Sequence, residues 1–247
     1  MEIVNAGHAM EYGQEMTGKL YGVGLGPGDP ELMTMRAHKL ISNAKVVAYP
    51  ALPGHESLAR SIAADAIPAN ATEIVVEIPM TAERNAAQAA YDLASREISG
   101  HLEYGSDVVY LCEGDPFFYG SFIYLFDRLS GDCKIEVIPG ISSIMACSAI
   151  AGLPLVARDE RLMVLPATLD ERELKAGIEC SESVAIIKLG RHLSRVKDMI
   201  RSLGLVKDSI YAERASTKNE VVCPLEMAPG DAPFFSMIII AKRVDFR

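Results

Sequence analysis

Tyr21-Gly22-Val23-Gly24-Leu25-Gly26-Pro27-Gly28-Asp29-Pro30 is the stretch that decides the reading of this chain. Glycine at every second position from 22 to 28 is incompatible with a packed strand. It marks backbone that bends, or that another group approaches more closely than a Cβ allows. Residues 19–25 read as a strand entering this turn, with Asp29 as N-cap and Pro30 at the first helical position. Leu32, Met33, Ala37, Leu40 and Ile41 then form an apolar helical stripe. A strand that ends in a glycine-rich loop opening a helix is where α/β proteins place a small polar ligand. Two common phosphate motifs are excluded. Position 27 is Pro, which breaks G-x-G-x-x-G, and no acidic residue closes the next expected strand, 45–49. No Gly-Lys-Ser/Thr follows either. The loop therefore binds something else or is only a tight turn.

The same texture recurs along the chain. Expected strands are 19–25, 45–49, 73–78, 107–112 and 134–138, separated by helical patterns at 30–42, 55–66, 82–103 and 120–130, with a further helix over 142–151. After Gly152-Leu153-Pro154 a charged, linker-like stretch precedes a second series: strand 161–166, helix 170–179, strand 183–189, helix 192–203, and strands 209–214 and 234–242. The expectation is two α/β domains with a cofactor cleft between them: a loose tail over 1–18, an N-terminal α/β domain over 19–157, and a C-terminal one over 158–247.

Composition limits the function classes. The chain has 247 residues, 49% of them hydrophobic, enough for a substantial core. No apolar run approaches the ~20 residues that cross a bilayer, so no membrane partner is expected. The five cysteines are odd in number, scattered and without a C-x-x-C pair, which suggests neither a disulfide framework nor a metal site. That usage, with no leader-like apolar segment at the start, points to the reducing cytoplasm. A net charge of −9 argues against nucleic acid as a partner.

Two further loops fall at strand ends. Glu113-Gly114-Asp115-Pro116-Phe117-Phe118-Tyr119-Gly120 follows strand 107–112, and Pro139-Gly140-Ile141-Ser142-Ser143 follows strand 134–138. Each is by itself an ordinary turn seed. Together, all three loops are expected on one edge of one sheet, offering backbone amides, small residues and the carboxylate of Asp115. That inventory suits a ligand carrying an amine and an adenosine better than a nucleoside triphosphate.

These three loops, and the segment Gly152-Leu153-Pro154-Leu155-Val156 through Val164-Leu165-Pro166-Ala167-Thr168, resemble the tetrapyrrole (corrin/porphyrin) methylase family across nearly the whole chain. Within it, the resemblance is strongest to the members that methylate C20 of precorrin-2. It implies S-adenosyl-L-methionine as methyl donor, a small tetrapyrrole substrate with or without cobalt, and a homodimer. The family's cofactor contacts carry over to Pro27, Glu113, Gly114, Asp115, Phe118, Ser142 and Ser143, and in the second half to Leu189 and Ala215. A general base is needed only for the displaced ring proton. Its candidates are Asp115, Tyr119, Glu113 and His192. Arg158, Arg161, Arg191 and Arg214 are the candidate anchors for substrate carboxylates, because Arg grips a carboxylate bidentately.

Overall fold

The computed structural model describes residues 17–79 and 84–242. Most of the expected tail lies outside that set, although Gly18 donates a backbone hydrogen bond to the Leu102 carbonyl. The first sheet contains β1 (Lys19–Gly24), β2 (Val46–Ala51), β3 (Thr72–Glu77), β4 (Val108–Cys112) and β5 (Lys134–Ile138). All neighbours run parallel, in the order β3-β2-β4-β1-β5. Between them lie α1 (Met35–Ser42), α2 (Leu58–Ile62), α3 (Arg84–Glu103) and α4 (Phe122–Leu129), with α5 (Ser143–Ile150) after β5.

Strand alternation explains the two covered faces. Leu20, Val108, Tyr110, Val46 and Ala48 pack under α3 and α4, while Val23, Val109, Leu111 and Val47 pack under α1 and α2. Strands buried on both faces read as continuous apolar runs, as 108–112 does. The connections through α1 and α2 step one way along the sheet and those through α3 and α4 step the other. Right-handed crossovers put the two pairs on opposite faces. The outward-going connections from β1 and β4 therefore diverge, which opens a crevice at the carboxyl edge of the sheet.

The second sheet joins β6 (Leu162–Pro166), β7 (Ser183–Ile187), β8 (Ser209–Glu213), β9 (Val221–Pro224) and β10 (Ser236–Ala241) in the order β6-β7-β10-β8-β9. Only β6 and β7 pair in parallel; β10 is antiparallel to both its neighbours, and β9 is antiparallel to β8. One face is covered by α6 (Glu171–Glu179) and α7 (Leu193–Ser202). The other is covered by α5, which buries Ile144, Ala146 and Cys147 against Ala185, Ile187, Ala212 and Ile239. The last helix of the N-terminal half thus serves the C-terminal sheet and joins the two halves through an apolar contact.

Several expected elements change. The helix expected over 30–42 is two pieces. Asp29 caps a short 3-10 turn, Pro30–Leu32, by accepting the Glu31 amide at 2.9 Å. Thr34 then caps α1 proper by accepting the Ala37 amide at 3.1 Å. The helix expected over 55–66 shrinks to α2, started by the Ser57 hydroxyl. Strand β9 was not foreseen, and β10 begins at Ser236 rather than 234.

Candidate functional site

The three loops at the carboxyl ends of the adjacent strands β4, β1 and β5 are tied directly to one another. Leu25 donates to the Cys112 carbonyl at 2.9 Å, and Gly26 and Gly114 exchange backbone bonds of 3.2 and 2.8 Å. A Cβ on Gly24 would lie 2.5 Å from the Gly140 nitrogen and 2.7 Å from the Gly114 oxygen, while one on Gly140 would overlap that same oxygen. Asp115 completes the junction. Its Oδ1 accepts the Phe117 amide at 2.9 Å and its Oδ2 accepts the Gly140 amide at 3.0 Å. Ser142 caps α5 through its hydroxyl.

This packing shows what the glycines of the loop touch within the protein. Gly22 is pressed by the Phe122 ring, and Gly24 by the neighbouring loops. Gly26 sits at φ +84°, a conformation that side chains resist. A Cβ on Gly28 would come within 2.5 Å of the Thr217 methyl, across the domain boundary, where the Asp29 amide also donates to Ser216 Oγ at 3.1 Å. Packing of protein groups at 22, 24 and 28 and the positive φ at 26 give each glycine a structural reason. Pro27 is the one residue of 22–28 that lines the cavity.

That cavity, of about 460 Å³, lies between the two halves. It falls within the ~300–1,000 Å³ usual for small-molecule and cofactor sites. Of the nine residues expected to contact cofactor, Pro27, Glu113, Gly114, Asp115, Phe118, Ser142, Ser143 and Ala215 line it. Leu189 does not. It is fully buried in the core beneath α6 and α7, so its side chain packs away from the cleft. A second depression of about 470 Å³ lies at the far end of the first sheet, around Tyr21, Arg36, Lys39 and Lys45. It gathers none of the expected residues and flanks the carbonyl end of α1, where cations are favoured by the helix dipole.

The base candidates separate. Glu113 and Tyr119 line the cavity, whereas His192 is outside it at the start of α7. Both Asp115 oxygens already accept backbone amides. Burial raises the Glu113 carboxyl above its ordinary pKa, with amide hydrogen bonds opposing the shift. Proximity to Arg191 and Arg195 adds to desolvation in lowering the His192 pKa. The candidate anchors separate as well. Arg161 is engaged by Glu182 at 2.9 Å, and Arg158 and Arg191 are exposed outside the cavity, but Arg214 lines it.

Sequence reasoning missed Lys188, Thr217, Asn219, Phe234 and Phe235, all of which line the same cavity. The Phe234 and Phe235 rings meet edge to face at 4.9 Å and are 58% and 44% exposed. The signal was available: two adjacent phenylalanines after Gly230-Asp231-Ala232-Pro233 belong to a loop, not to a strand. Among the described residues no group of His, Cys, Asp and Glu could hold a metal, and no helix is long and apolar enough to cross a membrane. All five cysteines are free.

A doubly wound parallel sheet whose carboxyl edge faces a mixed sheet across a ligand-sized cavity defines a two-domain α/β protein that binds a small molecule between its halves. The sequence model of the tetrapyrrole (corrin/porphyrin) methylases matches residues 19–228, and the chain belongs to that family. It is 37% identical to a precorrin-2 C(20)-methyltransferase of Sinorhizobium sp, over 90% of this chain and 95% of that one. It is 26% identical to the cobalt-precorrin-2 C(20)-methyltransferase of Salmonella typhimurium, over 94% and 99%. Among solved structures, a cobalt precorrin-4 methyltransferase superposes with a TM-score of 0.72 at 21% identity, covering 90% of this chain and 94% of that one. The uroporphyrin-III C-methyltransferase of Thermus thermophilus, complexed with S-adenosylhomocysteine, superposes with a TM-score of 0.66 at 24% identity, covering 91% and 92%.

Proposed function

We propose that this chain methylates precorrin-2 at C20 with S-adenosyl-L-methionine as donor, a step of cobalamin biosynthesis. The observation that carries the reading is the reach of the similarity. The precorrin-2 and cobalt-precorrin-2 enzymes match over 90% and 94% of the chain, whereas uroporphyrinogen-III methyltransferases match over 57% and 60%. The higher identity to the precorrin-2 enzyme, 37% against 26%, favours the metal-free substrate.

The cavity suits the donor. Its lining is mostly apolar, with the Ser142 and Ser143 hydroxyls and the Asp115 loop at one side and Ala215 and the Phe234–Phe235 pair at the other. Pro27, Glu113, Gly114, Phe118 and the backbone at Leu189 complete the proposed contacts. When bound, the donor supplies an electrophilic methyl on a cationic sulfur. The chain's own task is to hold a nucleophilic ring carbon in line at ~3–3.5 Å and keep water out, a proximity effect worth several kcal/mol. Glu113, half-buried and with its pKa raised, is suited to accept the displaced ring proton. The enzyme is proposed to act in the cytoplasm as a homodimer. Ile141, Met145, Ile150 and Val156 are exposed apolar residues in and around α5, which a second copy would cover.

The test is turnover with metal-free precorrin-2, cobalt-precorrin-2 and uroporphyrinogen III side by side, under reducing anaerobic conditions. Precorrin-2 is expected to be methylated fastest. Exclusive turnover of uroporphyrinogen III would refute the proposal.

A further inference from the structure

Lys188 and Arg214 leave the second sheet at the carboxyl ends of β7 and β8, and both side chains line the cavity. Both strands are antiparallel to β10, which lies between them, so the two residues emerge from the same edge of the sheet. Two strand spacings separate them by ~10 Å. Both are held in the left-handed region, Lys188 at φ +58° and Arg214 at φ +49°, where non-glycine residues are uncommon and cluster at functional sites.

Like Arg60, Arg128, Arg161 and Arg201, Arg214 is matched by a carboxylate, whereas Lys188 is not. The Lys188 ammonium meets no carboxylate among the described residues and lies 5.2 Å from the centroid of the Tyr119 ring, across the cleft. Arg214 is pinned by one nitrogen, Nη1, at 2.9 Å from Glu213 Oε1. Glu213 is itself buried and takes the Tyr211 hydroxyl at 2.5 Å. The rest of the guanidinium stays open, with 46% of the side chain exposed.

We propose that Lys188 and Arg214 form a two-point anchor that grips two separate carboxylates of the tetrapyrrole at the mouth of the cavity. This rests on the tetrapyrrole reading above. A polycarboxylate approaching a chain of net charge −9 is repelled at long range, so capture depends on cations placed at the site. Backbone positions ~10 Å apart on one sheet edge let these two long side chains reach separate carboxylates on the rim of a macrocycle. Pinning by Glu213 and the Tyr119 ring fixes both cations before the substrate arrives, which reduces the ordering lost on binding. The methionine carboxylate of the donor is the competing occupant.

The experiment compares Lys188→Met, Arg214→Met and the charge-keeping Lys188→Arg and Arg214→Lys, each checked for native near-ultraviolet circular dichroism. Precorrin-2 is varied in steady state, and S-adenosylhomocysteine is titrated by calorimetry. Each Met variant should raise the KM for precorrin-2 about tenfold, as expected for one lost charge-assisted hydrogen bond. The change in kcat should be smaller, and S-adenosylhomocysteine affinity should not change. Lys188→Arg should recover most of the loss, and added salt should weaken the wild type more than the double Met variant. An unchanged KM in the folded variants overturns the anchor. So does a loss of S-adenosylhomocysteine affinity with KM for precorrin-2 intact, which would give the cations to the donor. If Arg214→Met does not fold, Lys188→Met and Arg214→Lys decide the matter. A wild-type protein that leaves precorrin-2 unmethylated refutes the functional reading itself, before any variant is compared.

Discussion

Asp115→Asn tests whether the carboxylate at the heart of the site faces a ligand or its own loops. In the structure its two oxygens accept two amides, Phe117 at 2.9 Å and Gly140 at 3.0 Å. Asparagine offers one acceptor oxygen, so one of these amides must face an NH₂ group and go unpaired. A hydrogen bond to a charged group contributes ~1.5–3 kcal/mol, and a stranded donor adds its own penalty. Because Asp115 is only half-buried, we expect a net loss of about 1–3 kcal/mol in stability. For a chain of this size each kcal/mol lowers Tm by roughly 2–4 °C. Urea denaturation should show a lower midpoint at unchanged slope, and Asp115→Ala, which strands both amides, should fall further. S-adenosylhomocysteine affinity, measured by calorimetry on the folded variant, should weaken by less than about tenfold, through loosening of the 139–143 loop alone. An unchanged urea midpoint with binding weakened more than tenfold would refute the reasoning and return Asp115 to the ligand.

Gly140→Ala should destabilise by about 1–3 kcal/mol or more, since the new methyl overlaps the Gly114 carbonyl, which is backbone and does not swing away; an unaltered Tm would contradict the packing described. Gly26→Val should lose stability along with cofactor affinity, because φ +84° is closed to a β-branched residue, and a fully stable Val variant would show the turn to be adaptable. The neighbouring Arg161 holds the Glu182 carboxyl at about 2, so this pair supports folding above about pH 4.5, and the support is lost as pH falls toward 2. Glu182→Gln should flatten that acid limb of Tm against pH, while Arg161→Ala should leave the KM for precorrin-2 unchanged; an acid limb as steep as wild type would contradict the pairing. Glu113 has a raised pKa, so its contribution to folding is present below about 4.5 and is lost as pH rises through the folded value. Glu113→Gln should therefore be no less stable than wild type at neutral pH yet turn over more slowly; full activity would remove Glu113 as the proton acceptor.

Much of the site was legible because its parts are local. Each of the three loops has a sequence signature, and each follows a strand whose apolar run is plain, so their gathering on one edge followed from the parallel-sheet rule. What the glycines touch was not legible. Gly24, Gly114 and Gly140 meet only because β4, β1 and β5 are adjacent, and that order depends on crossovers that no single segment encodes. Thr34 as a second cap lay in plain view, but Asp29-Pro30 gave a stronger start signal a few residues earlier. Strand β9 was hidden by its four residues and terminal proline, tolerated because it pairs only with β8 at the sheet edge. Leu189 was named through the family resemblance, and the sequence does not tell which residue at that strand end meets the cleft; the structure buries Leu189 in the core and brings Lys188 to the cavity.

The most direct test of the central claim is where the new methyl lands. Precorrin-2 incubated with the protein and donor carrying an isotope-labelled methyl should yield one product, heavier by a single methylene, with carbon NMR placing the label at C20. A label on any other ring carbon, or none incorporated while uroporphyrinogen III is methylated, would contradict it.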